Sequence, residues 1–253
     1  MDGRLRFGAV LVVLLFVGCA GEGTVSAVEL NVSVSGEPGN VHIEKSANNG
    51  TSAMNELRVT FDFLGTESSR GALTEYWLNP GDGGQRVSVN AAEASTLFRD
   101  YESHGVFQSV AGANDSGENS AEEEIRIVVN GAFYLNQTQP TGVDEPADLH
   151  IDAPSDNSVE SPHSMSISST ITNVENFAQQ FPPAADVEIT WRLLDPTGTE
   201  IISYTQLINE GQSYTWTHEE TSPAVGGWTL EVSDSVSDEN VQQETSVVVR
   251  YTE

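Results

Sequence analysis

The chain is short of cysteine, of positive charge and of long apolar runs. Cys19 is the single cysteine among 253 residues, so no disulfide within the chain can staple the fold. Only 10 residues are basic against 38 acidic, and Lys45 is the one lysine. Nucleic-acid binding rests on Lys and Arg neutralising phosphates, so a net charge of −28 argues against a nucleic-acid partner. The apolar run at 7–18 is twelve residues, short of the roughly 20 that span a bilayer. No later segment is longer. Catalytic signatures are missing too: there is no G-x-S-x-G, no H-E-x-x-H and no Gly-rich phosphate loop. The expectation is a protein that is not an enzyme, with no catalytic residues and no cofactor.

Metal chemistry finds little support. Zinc wants three or four nitrogen or sulfur ligands on a fixed frame. The five histidines, His42, His104, His150, His163 and His218, never pair at i, i+2 or i, i+4. His150 and Asp152 form an H-x-D with Asp144, Asp148 and Asp156 nearby, but on a stretch that reads as a linker. Two oxygen-rich loops suit a hard cation better. One holds Asn79 and Asp82; the other holds Asn114, Asp115, Glu118 and Glu122. Neither has EF-hand spacing, and a chain this acidic produces such clusters by composition. No metal site is expected.

What is there begins at the N-terminus. Arg4 and Arg6 precede the apolar run, which has the length of a signal-peptide core. It ends in Phe16-Val17-Gly18-Cys19, which resembles the lipobox of prokaryotic lipoproteins. That resemblance implies a signal peptide over 1–18, cleavage before Cys19 and a diacylglyceryl thioether on its sulfur. Residues 19–27 would then be the lipidated cysteine and a tether. Each buried CH₂ adds about 0.8 kcal/mol, so two acyl chains anchor a domain where one would not. The implied location is the extracellular face of the cytoplasmic membrane, with the membrane itself as a partner.

The acidity has its own logic. A large net charge repels itself in the compact state, and molar salt shortens the Debye length to about 3 Å and screens it. An acidic surface with Arg preferred to Lys resembles the secreted proteins of extreme halophiles, haloarchaea in particular.

Hydrophobic alternation sets the fold class, which reads as mainly β. "VELNVSV" aligns Val28, Leu30, Val32 and Val34, and "ELRVTFDF" aligns Leu57, Val59, Phe61 and Phe63; period 2 marks half-buried strands. Residues 28–138 form an N-terminal β-rich domain. Within it, a short helical insertion is expected at 91–104. Asn90 would cap it, Gly105 would end it, and Ala94, Leu97, Phe98 and Tyr101 fall at i, i+3, i+4 and i+7. Residues 139–163 place four prolines among acids and read as a linker, although "ADLHIDA" alternates weakly like a first strand.

The second domain, 164–253, runs "WRLLDPTGTEI", "YTW", "GGWTLEV" and a last strand of valines. That order is similar to immunoglobulin-like and GOLD-like antiparallel β-sandwiches of extracellular proteins. Trp191, Tyr214, Trp216 and Trp228 read as its core, since buried aromatics dominate such interiors. Asn31, Asn49, Asn114 and Asn136 lie in N-x-[ST] sequons, open to glycosylation on an exported chain. The functional expectation is an anchored, non-catalytic interaction or structural module of the cell envelope, with an envelope protein or glycan as partner. The alternatives are a transporter's substrate-binding lipoprotein or, less favoured, a surface hydrolase or protease inhibitor.

Overall fold

The computed structural model describes residues 26–48, 50–138, 145–154, 157–174, 186–235 and 240–252. Among these, no residue is helical, and the protein is mainly β and sandwich-like. The residues expected as signal peptide, Cys19 and most of the expected tether lie outside the described residues.

The first half supplies β1 (Val28–Glu29), β2 (Ser33–Ser35), β3 (Gly39–Lys45), β4 (Thr51–Asn55), β5 (Leu57–Asp62) and β6 (Glu67–Ser68). It continues with β7 (Leu73–Asn79), β8 (Val87–Asn90), β9 (Thr96–Tyr101), β10 (Gly105–Asp115) and β11 (Ser120–Gln137). The second half supplies β12 (Leu149–Ala153), β13 (Ser164–Asn173), β14 (Val187–Leu194) and β15 (Glu200–Ile208). It ends with β16 (Ser213–Thr221), β17 (Gly226–Asp234) and β18 (Val241–Arg250). The alternation works as period 2 requires. In β5, Val59 and Phe61 are fully buried, while Arg58 points to solvent and pairs with Asp100.

The helical insertion at 91–104 is corrected to a turn followed by β9. Asn90 does start a turn: its carbonyl accepts from the N–H groups of Glu93 and Ala94. Its side-chain oxygen accepts from Ala92 N–H at 2.9 Å. The chain then extends at Thr96 and pairs with β5 from Leu57↔Tyr101 to Asp62↔Thr96. Leu97 and Tyr101 are buried while Phe98 between them is exposed. A spacing of four satisfies both the helical and the strand period, so those two residues could not discriminate. A partner strand with open hydrogen bonds decided the outcome.

Among the described residues, nine strands form one sheet along the path β16-β13-β18-β11-β10-β7-β8, with β3 on β11 and β4 on β3. β11 joins its parts. Residues 120–129 of this strand pair with β10. Residues 131–137 pair with β18, while β3 runs parallel to residues 129–135. A three-stranded sheet, β2-β5-β9, belongs to the first half, and a four-stranded sheet, β12-β17-β14-β15, to the second.

Two buried cores result. One gathers Val59, Phe61, Phe63, Leu78, Tyr101, Phe107 and Ile127. The other gathers Trp191, Trp216, Trp228, Leu149, Ile151 and Val247, and takes in Phe133 and Leu135 from β11. Ile43 of β3 packs against both. The stretch expected as linker contains β12, whose Leu149, Ile151 and Ala153 are buried against β17.

Candidate functional site

The second half of β11 turns Phe133 and Leu135 inward and leaves Tyr134 and Asn136 exposed. Register then fixes their neighbours. Tyr134 lies opposite Glu44 of β3 and Ser246 of β18, and Ser246 lies opposite Ser168 of β13. Asn136 lies opposite Glu244, which faces Thr170. These rows border an open groove of about 510 Å³ that also reaches Ser52 of β4. The imidazole of His42 stacks on the Tyr134 ring, with centroids 5.8 Å apart and planes 17° apart. The Lys45 ammonium at the groove sits 5.8 Å from the buried Phe133 ring. The wall is thus one exposed phenol ring surrounded by hydroxyls, an amide and two carboxylates.

A second polar cluster lies where β10 begins. His104 is 1% exposed, and its Nδ1 is 2.8 Å from the Tyr251 hydroxyl. It also hydrogen-bonds the Asp152 backbone, and the Phe133 ring meets it edge-on at 5.4 Å. Burial pushes its pKa down to about 4, against a smaller opposing pull from Asp152. A Cβ on Gly131 would come within 2.8 Å of the imidazole. The neighbouring Asn130 carbonyl oxygen of the side chain accepts from Tyr251 N–H. Close by, Glu37 accepts from Val128 N–H, and burial raises its pKa.

The residues singled out in the sequence are scattered. Asp82 is spent internally: it pairs with Arg99 at 2.8 Å and accepts from Gly84 N–H. Asn79 accepts from Gly81 N–H at 3.4 Å. Asp115 accepts from Ser68 Oγ, from Asn119 N–H and from Gly117 N–H. Those donors, Ser68 first, hold its carboxyl at about 2. Asn114 donates to Glu75, while Glu118 and Glu122 are exposed. Asp82 and Asp115 each organise their own turn.

The histidines are equally dispersed. His150 is exposed, 2.9 Å from Thr229 Oγ1. His163 is exposed, and His218 stacks on Trp216 with Nε2 3.4 Å from Glu220. Among the described residues, no three His, Cys, Asp or Glu side chains are grouped to hold a metal ion. Asp144 and Asp156 lie outside those residues.

Trp191, Trp216 and Trp228 are buried, and Tyr214 is half-buried with its hydroxyl 2.8 Å from that of Tyr204. Of the sequon asparagines, Asn31 and Asn136 are exposed, Asn114 is partly covered, and Asn49 lies outside the described residues. Sequence reading found Asn136 as a sequon but missed Tyr134, His42, Glu44, Glu244, Ser168 and Thr170 as its neighbours. The available signal was the aromatic of "FYLN" on the polar face of an otherwise alternating strand. Nothing local pairs it with β3, β13 or β18.

No family model matches the chain, and no curated protein matches it. Solved structures do. A carbohydrate-binding module of the β-sandwich superfamily aligns with 90% of this chain and 99% of its own, at 13% identity and TM-score 0.32. A xylan-binding domain from Paenibacillus barcinonensis aligns with 74% of this chain and 100% of its own, at 10% identity and TM-score 0.26. VP2 of infectious bursal disease virus aligns with 72% of this chain and 52% of its own, at 13% identity and TM-score 0.28. At these scores the likeness carries no argument about what this chain binds.

Proposed function

We propose that the chain is a lipid-anchored cell-surface protein that acts as a non-catalytic interaction module of the envelope. The observation that carries this reading is the open groove bordered by Tyr134, Asn136 and Glu244. Five strands contribute to it, β4 and β3 from the first half, β13 and β18 from the second, and β11 between them. Groups on paired strands are held at fixed spacing, which suits recognition. In this reading Cys19 carries the lipid, the membrane is one partner, and an envelope protein or glycan is the other. The acidic surface fits a saline exterior. The finer architecture is two β-rich units with an immunoglobulin-like sandwich second. In that reading its two layers would be β12-β17-β14-β15 and the β16-β13-β18 end of the nine-stranded sheet, whose buried residues share one core.

The test is expression of the full chain in a halophilic host, with cross-linking on intact cells. Wild type should fractionate with membranes and capture a defined partner; Cys19→Ser should appear in the medium and capture far less. Equal membrane retention of the two would remove the anchor from the proposal.

A further inference from the structure

We infer that the groove on β11 binds uncharged pyranose units of a glycan, with Tyr134 as the stacking platform. The inference deepens the envelope-module reading and rests on it. Four observations carry it. First, Tyr134 is 38% exposed on a strand whose neighbouring aromatic, Phe133, is 1% exposed. The phenol is an apolar plate on a polar face, the shape that the C–H face of a pyranose covers. Second, His42 stacks against it at 17°, so the ring is braced before any ligand arrives and little side-chain entropy remains to be lost.

Third, the surrounding groups are donors and acceptors of the kind that sugar hydroxyls pair with. Glu44 and Glu244 accept, Asn136 does both, and Ser168 offers a rotatable hydroxyl, while that of Thr170 is already paired with Thr215 at 2.8 Å. An apolar ligand would leave them unpaired on binding, which is costly. Fourth, the charge selects. Two glutamates border the groove against one lysine, on a chain of net charge −28. An anionic sugar, a phosphate or a nucleotide seated against Glu44 and Glu244 would meet repulsion at contact range, where molar salt screens least, and an uncharged sugar would not. A volume of about 510 Å³ is in the range of small-molecule sites.

One residue links the site to the chain's own chemistry. Asn136 both borders the groove and begins the sequon Asn136-Gln137-Thr138. The same pyranose chemistry therefore has two sources, an external glycan or a sugar carried on Asn136 itself.

The experiment uses full-length protein in detergent and molar KCl. The probes are neutral oligosaccharides, gluco-, manno- and xylo-configured, with a uronic-acid oligomer as the charged comparison; titration calorimetry is the readout. At least one neutral probe should bind and the uronate should not. Tyr134→Ala should weaken binding about tenfold, the cost of losing a central aromatic contact, and Tyr134→Phe should retain most of it. Thr138→Ala, which destroys the sequon and keeps Asn136, separates the sources. Binding that strengthens in Thr138→Ala identifies an attached sugar as the resident ligand. Binding that is unchanged identifies an external glycan. Wild-type and Thr138→Ala proteins that both bind no neutral probe overturn the inference, as does binding that Tyr134→Ala leaves intact. Either failure is distinguishable from failure of the anchor, which is read separately from membrane retention of the Cys19→Ser variant.

Discussion

His104 shows what burial does to one side chain. Its imidazole is 1% exposed and is held by Tyr251 and the Asp152 backbone. The unfolded chain takes a proton there near the usual histidine value, whereas the folded chain resists until about pH 4. Stability from this residue is therefore full above pH 6.5 and falls as pH drops towards about 4, because the unfolded state binds the proton first. The loss is on the order of 3 kcal/mol. Chemical denaturation in molar salt should show that decline between pH 6.5 and 4 for wild type, and His104→Gln should show a shallower one. Equal slopes would assign the acid sensitivity to other groups. In the sequence His104 was one histidine of five with no motif around it. Its burial depends on Gly131, which makes room for the ring, and on Tyr251 near the far end of the chain. Such separations leave no local trace.

Elements were more legible than their partners. Period 2 in "ELRVTFDF" gave β5 correctly, because a residue's side of a sheet is set by its own parity. The stretch after Asn90 was misread because Leu97 and Tyr101 fit two periods at once, and pairing with β5 chose between them. β11 extends over 18 residues, with Asn130-Gly131 inside it. That dipeptide also suits a hairpin turn, and only the neighbours β10, β3 and β18 show that the strand continues through it. Because β11 contributes to both cores, damage at Gly131 should travel both ways. A Cβ there collides with the His104 ring, and overpacking of this kind costs about 1–3 kcal/mol. Gly131→Ala should lower the urea midpoint seen by Trp77 fluorescence and that seen by Trp191, Trp216 and Trp228 together. Single-site Trp→Phe variants separate the two signals. A shift confined to one signal would show that β7, which carries Trp77, and the second core unfold independently.

The whole molecule is governed by charge and by one shared sheet. Arg58, Arg86, Arg99, Arg126 and Arg192 each meet a carboxylate. All of these pairs but Arg99–Asp82, whose carboxylate is 5% exposed, are largely exposed and individually worth little, and 38 acids far outnumber the bases that could neutralise them. Self-repulsion then depends on the ionic atmosphere. Far-UV circular dichroism should keep its β signal in molar KCl and lose it progressively towards millimolar salt. A spectrum unchanged over that range would show that packing alone carries the fold.

By itself the sequence determined the quantities that add up residue by residue. Net charge is a sum, strand identity follows from local alternation, and the burial of Trp191 and Trp228 follows from size and hydrophobicity. The tertiary structure alone decided adjacency. Glu44, Tyr134, Ser168 and Glu244 are up to 200 positions apart in the chain and become neighbours only through the register of four strands. Register is fixed cooperatively by which faces must be buried and which hydrogen bonds must be closed, and no segment holds that information alone.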